Sequence, residues 1–225
     1  RLDVDRYEID GVSQDTVVAV RELNVNGLGA AASWQNSALV YTHGYGLVAA
    51  KGNARTVDGN PEFIERGIPT AGALSNIDTF QPRVYFGEYS PWYSLVCAPE
   101  DTAPIELDYP SGEDGANETK TTFSGDGGPS VGNIFHQLLY SLKFQSTDIL
   151  FSDYINEDSQ VLYDRHPATR VQKVAPYLEI DSDPYPSVID GRIVWIIDGY
   201  TLSANYPYST TVSLQDAISD STNAA

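Results

Sequence analysis

Two hydrophobic periods alternate along this chain. Thr16-Val17-Val18-Ala19-Val20-Arg21-Glu22-Leu23 is β-branched at its start and predicts a strand. Ala38-Leu39-Val40-Tyr41-Thr42 and Gly46-Leu47-Val48-Ala49-Ala50 flank a glycine-containing break and predict two more. Arg83-Val84-Tyr85-Phe86-Gly87-Glu88 and Tyr93-Ser94-Leu95-Val96-Cys97 are short, aromatic, proline-bounded runs with the same reading. The sharpest signal is Asp190-Gly191 between Ser187-Val188-Ile189 and Arg192-Ile193-Val194-Trp195. Asp-Gly between apolar runs favours a type I′ turn, because both central residues need positive φ. The second strand of that hairpin is expected to run to Ile197, with Asp198-Gly199 turning after it.

Helical spacing takes over at Val131, Ile134, Phe135, Leu138, Leu139 and Leu142, which predict one buried face. Ser130 or Asn133 caps its start, and Lys143 suits its C-terminal end. A shorter helix is predicted from Pro167 to Ala175, with Asp164 as its cap, Val171, Val174 and Ala175 as its apolar edge, and Pro176 as its stop. The polar, glycine-rich residues from about 110 to 129 predict a long mobile loop. The small polar residues from about 216 to 225 predict a frayed tail. Strand runs with two or three helices, without regular βαβ alternation, give an α+β class with a mainly antiparallel or mixed sheet. Residues 1–225 read as a single domain.

Composition narrows the partners. With 31 Asp and Glu against 13 Lys and Arg, the formal net charge is −18, which repels nucleic acid and anionic lipid. The longest strongly apolar run, Ile193-Val194-Trp195-Ile196-Ile197, is far short of the ~20 residues of a membrane span, so direct insertion is not expected. There is no Met, even at position 1, as expected of a processed product or a piece cut from something longer. The lone Cys97, in Leu95-Val96-Cys97-Ala98, reads as a small buried hydrophobe; its redox state is open.

An ordered set of segments carries a resemblance: Leu39-Val40-Tyr41-Thr42-His43-Gly44-Tyr45-Gly46-Leu47-Val48-Ala49-Ala50, Pro82 to Glu88, Asp108-Tyr109-Pro110, Asn133 to Phe144, Lys173 to Leu178, Asp183-Pro184-Tyr185-Pro186 and Gly191 to Thr201. From about Arg21 to Ser213 the chain resembles uncharacterised protein family 0182, large integral membrane proteins common in actinobacteria. The resemblance implies a parent with several transmembrane helices towards its N-terminus and a large region outside the cytoplasm, of which this chain is a part. It implies the extracytoplasmic face of the plasma membrane as location and the rest of the parent protein as partner, with an envelope protein or a glycan as further possibilities. It carries over no catalytic residue.

Candidate chemistry is sparse. His43, in Thr42-His43-Gly44-Tyr45-Gly46, has the flexible surroundings of a general base or metal ligand; the alternative is a histidine hydrogen-bonded in a structural turn. Glu88 and Asp198 are candidates for an acid–base pair of the glycosidase type. Glu179, Asp181 and Asp183 alternate, so a strand would set all three on one face. Calcium is the natural bridge for such a face, and a solvated acidic edge is the alternative; no cofactor is otherwise expected. His136 falls on the flank of its helix's stripe, and no zinc-ligand spacing exists. Tyr45, Trp92 and Tyr93 are candidate ligand-stacking faces, as are Tyr206 and Tyr208; Trp195, inside the hairpin strand, reads as core. The leading expectation is a binding or scaffolding module of a cell-envelope membrane protein. The alternatives are an envelope glycan hydrolase using acidic residues and His43, or a purely structural part of the parent. A concave, partly apolar pocket around His43 or a Glu/Asp pair marks the enzyme; an exposed apolar or aromatic patch with the acids scattered marks the module, and such a patch fits the structural part of the parent equally.

Overall fold

The computed structural model describes residues 2–96, 103–111, 117–203, 205, 207, 208, 212–216 and 218. In chain order the strands are β1 Asp3–Ile9, β2 Val12–Val20, β3 Gly44–Tyr45, β4 Leu47–Arg55, β5 Pro61–Arg66, β6 Ala71–Gly72, β7 Arg83–Val84, β8 Tyr93–Val96, β9 Glu106–Ser111, β10 Asn117–Thr121, β11 Gln160–Tyr163, β12 Glu179–Ile180, β13 Tyr185–Ile189, β14 Arg192–Ile196 and β15 Gly199–Tyr200. The α-helices are α1 Ile134–Phe144, α2 Asp148–Phe151 and α3 Pro167–Val174. The class is α+β, and the ladders between these strands are antiparallel.

Five strands form one sheet in the order β1-β2-β4-β5-β6. The first hairpin turns at Asp10-Gly11, both with positive φ (52° and 76°). Val18, Leu47 and Ala49 are buried on this sheet, with Tyr7, Val20, Ile64 and the β13–β14 residues Val188 and Ile193 against them. A second core gathers Leu39, Leu95, Val131, Phe144, Ile149 and Val161, flanked by Trp34, Tyr93, Tyr140 and Tyr163. No helix among the described residues is long and apolar enough to cross a membrane.

The Asp190-Gly191 hairpin forms as expected, with φ of 49° and 74° at its turn. Several other expectations need correction. Ala38–Thr42 is not a strand: Asn36–Val40 is a π-helical turn, with the Tyr41 amide donating to Asn36 O. A short apolar run buries equally well in either form, and its periodicity does not distinguish them. The strand beginning at Arg83 stops at Val84, because the Tyr85 and Phe86 carbonyls accept side-chain bonds from Arg165 and Trp195 instead of ladder bonds. Gly199 is not in a turn but pairs with Ile180. Part of the expected 110–129 loop is β10, an alternating Thr-rich arm paired with β9. The N-cap position of α3 is His166 rather than Asp164, whose carboxylate instead accepts from Lys173. Cys97, Tyr206 and residues 112–116, 217 and 219–225 lie outside the described residues.

Candidate functional site

The predicted helix α1 exists, but its orientation is reversed. The Asn133 side chain accepts from the His136 amide and caps it, and Gln145 in the left-handed region ends it. Its seat is aromatic. Phe144 stacks on Tyr93 with ring centroids 4.3 Å apart, Tyr140 lies beside Tyr163, and Lys143 Nζ sits 3.5 Å over the Tyr163 ring. The indole of Trp34 donates to the Tyr93 hydroxyl at 2.9 Å. Ser141 and Phe144 are the buried positions of the helix. The aliphatic stripe therefore points away from the core: Ile134, Phe135, Leu138, Leu139 and Leu142 are all exposed, at 45% or more. Helical pitch makes this a consequence of the seating, since Tyr140 and Phe144 lie roughly opposite the stripe. Trp92, also exposed, stands edge-on to Phe144 at 5.2 Å. Monomeric soluble proteins rarely leave contiguous apolar side chains in water, and such a patch marks an interaction surface. The Leu stripe was visible in the sequence; the direction it faces was not.

The second concentration of chemistry is a buried polar network. The ring of His43 is fully buried and lies tilted against Tyr85, centroids 4.5 Å apart. The Thr42 hydroxyl donates to Glu106 Oε2 at 2.6 Å, so its oxygen is left to accept from His43 Nδ1 at 2.9 Å. His43 Nε2 faces Asp108 Oδ1 at 3.4 Å. Both ring nitrogens thus act as donors, the pattern of an imidazolium. Burial alone would lower the His43 pKa, but its pairing with Asp108 and Glu106 outweighs this and raises it. Arg83 grips Asp108 with two bonds of 2.7 Å. Burial opposes ionisation of Asp108, yet His43 and Arg83 hold its pKa below the usual carboxylate range. Glu106 also accepts from the Tyr85 hydroxyl and the Phe123 amide. Arg165, buried, donates to Tyr85 O, Ser94 Oγ and Thr42 O. Desolvation pushes its pKa down to about 10. Every polar atom of His43 is engaged and its ring is shut away from solvent, so the arrangement clamps β3, β7, β8 and β9 together and offers no free base. Glu106, Asp108, Arg83 and Arg165 were missed in the sequence. Their signal was the alternation of Glu106 and Asp108 on β9, but acidic alternation reads as a surface edge.

The other candidates scatter. Tyr45 packs tilted against Tyr109, ring centroids 4.8 Å apart, beside this network, and burial raises its pKa. Trp92 and Tyr93 belong to the α1 seat. Glu88 lines a cleft of about 450 Å³ with Asp3, Glu22, Asn24, Tyr89 and Trp195; Asp198 is not among the lining residues. Glu22 accepts from the Tyr89 amide at 2.7 Å, and its pKa is raised, first by burial and further by the Glu88 charge. Trp195 is half-buried, its indole N–H held by Phe86 O at 2.8 Å. The expected one-face triad does not form. The strand carrying Glu179 ends at Ile180, and Asp181 Oδ1 accepts the Asp183 amide within a turn. Among the described residues, no group of three or more His, Cys, Asp or Glu is placed to hold a metal ion. His136 is half-buried, its Nδ1 beside Asn133 Nδ2. Tyr208 is exposed.

Comparison with known proteins gives a consistent result. A UPF0182 protein of Arthrobacter sp. (strain FB24) is 58% identical over all 225 residues, which make up 22% of that relative. One of Clavibacter sepedonicus is 64% identical over 92% of this chain and 21% of its own length. One of Bifidobacterium longum is 56% identical over 98% of this chain and 20% of its own. This chain therefore spans about a fifth of the relatives it matches. No solved structure matches it. A family model covers residues 1–224. The chain belongs to the uncharacterised protein family UPF0182.

Proposed function

We propose that this chain is a binding or scaffolding module on the extracytoplasmic side of an integral membrane protein of the cell envelope. The observation that carries the reading is the outward apolar face of α1. His43, the sequence's first candidate for chemistry, is buried and engaged on both nitrogens, while the large exposed apolar side chains of α1 gather on one face. That combination matches a docking surface on a rigid support. The family resemblance supports the location. The test uses the full-length protein with Leu138→Asp and Leu142→Asp together. Limited proteolysis is expected to release this domain faster than from wild type, because a covered face has been made polar. Equal release rates sink the docking role.

A second reading, an envelope glycan hydrolase, draws on one observation: Glu22 and Glu88 line the same cleft as Trp195 and Tyr89. A carboxyl with a raised pKa beside a second carboxylate is the acid–base arrangement of glycosidases. Release of reducing ends from envelope glycan, abolished by Glu88→Gln, is the result that establishes it; no release by the wild type removes it.

A further inference from the structure

We infer that the α1 face is occupied by an apolar segment of the same polypeptide lying outside these 225 residues, an inference that rests on the docking role above. Three observations converge on it. First, α1 is apolar on both sides. Tyr140 and Phe144 face the core, and Ile134, Phe135, Leu138, Leu139 and Leu142 face out. Apolar side chains on two opposite faces, separated by the polar positions His136, Lys143, Gln137 and Ser141, call for a neighbour on each face. The described residues supply one neighbour.

Second, the charge pattern changes here. The chain carries 31 Asp and Glu, yet none lies between Asp126 and Asp148, the stretch containing α1. The missing neighbour is thus apolar and uncharged where it meets the helix, since a carboxylate or ammonium set against five apolar side chains would be desolvated without a partner. Third, this chain accounts for only 20–22% of the relatives' length. In those relatives the remaining four-fifths is part of the same polypeptide, and a complementary segment so attached competes at an effective concentration in the millimolar range. A second copy meets this face only by bringing together two chains of net charge −18, which repel. Anionic lipid is disfavoured for the same reason.

The experiment places the photo-crosslinking residue p-benzoylphenylalanine at Phe135 or Leu142 of the full-length protein in its own host, with Glu118 as control. All three sites are exposed here, so the probe leaves the domain's core untouched. Two differently tagged copies are expressed together, and adducts are identified by mass spectrometry. The expected product from Phe135 and Leu142 is a crosslink within one polypeptide to a peptide outside residues 1–225, with none from Glu118. A product carrying both tags shows a second copy and overturns the inference. An adduct with a different protein or with lipid also overturns it while leaving the docking role intact. No adduct from either helix site, as at Glu118, removes both.

Discussion

Leu142 and Phe144, two positions apart on α1, point in opposite directions: Leu142 is 69% exposed and Phe144 is 4% exposed. The two side chains are similar in apolar character, so their substitution energies separate cleanly by environment. Phe144→Ala empties a site in contact with Trp92, Tyr93 and Tyr140 and is expected to destabilise by about 3–5 kcal/mol. In the isolated 225-residue chain, Leu142→Ala removes a solvated side chain and is expected to stay within about 0.5 kcal/mol. Denaturant unfolding of the two variants checks the split; similar losses would show that the stripe is core after all.

The His43 network makes stability depend on pH from both sides. The His43 pKa is raised on folding, so its contribution is complete below the unfolded value of about 6.5 and is lost as pH rises through the higher folded value. The Asp108 pKa is lowered, so its contribution is present above the ordinary carboxylate range and is lost as pH falls through the lower folded value. His43→Gln leaves Asp108 and Glu106 short of a buried positive partner, and is expected to destabilise by about 3–5 kcal/mol below pH 6.5. Melting curves should show the gap to wild type narrowing as pH rises above that point. A gap that widens instead would mean that the ring is neutral in the folded state.

Arg165 is positioned by three separate acceptors, on the Thr42, Tyr85 and Ser94 segments. A lysine keeps the charge but cannot present the guanidinium fork to all three. Arg165→Lys is therefore expected to destabilise by about 2–4 kcal/mol, through acceptors left unpaired in the interior. A thermal shift near zero would contradict the assigned geometry.

Gly44, in β3, lies against the backbone of Arg21 and Glu22, just past the end of β2. A Cβ there would overlap Arg21 O and Glu22 Cα, which are backbone atoms and cannot swing aside. Gly44→Ala is expected to cost about 1–3 kcal/mol by overpacking. Gly27→Ala meets nothing closer than Asn24 Nδ2 at 4.0 Å and serves as the neutral comparison. Equal melting temperatures for the two variants would refute the close approach.

Local chemistry was legible in the sequence; the direction of faces was not. Asp190-Gly191 announced its hairpin, because two positive φ values need only two adjacent residues. The same dipeptide at Asp10-Gly11 closes the first hairpin but is easily passed over. There the half-buried side of β1 includes Asp3 and Asp5 while Val4 points outward, so the strand does not show the usual alternation. Asp5 is accommodated by the Ser187 hydroxyl at 2.6 Å, a partner far away in sequence. The rule is inverted again on β9, whose buried positions are Glu106 and Asp108, and on α1, whose exposed positions are aliphatic. Each inversion depends on residues distant in sequence: Ser187 for Asp5, Arg83 and His43 for Asp108, Tyr93 and Tyr163 for α1. Places where pattern and structure disagree are where a sequence is answering to something besides its own core. On β9 the answer is the internal ionic clamp; on α1 it lies beyond these residues.

The accessibility of that helix face in the intact protein is the most direct measurement. Single cysteines at Leu142→Cys and at Glu118→Cys, each in the full-length protein with its native cysteines, Cys97 included, replaced by serine, would be labelled on whole cells with a membrane-impermeant maleimide. Glu118→Cys is expected to react without lysis, and Leu142→Cys at least tenfold more slowly, since its face is covered. Equal rates at the two sites would contradict the docking role, and no reaction at Glu118→Cys before lysis would contradict the extracytoplasmic location.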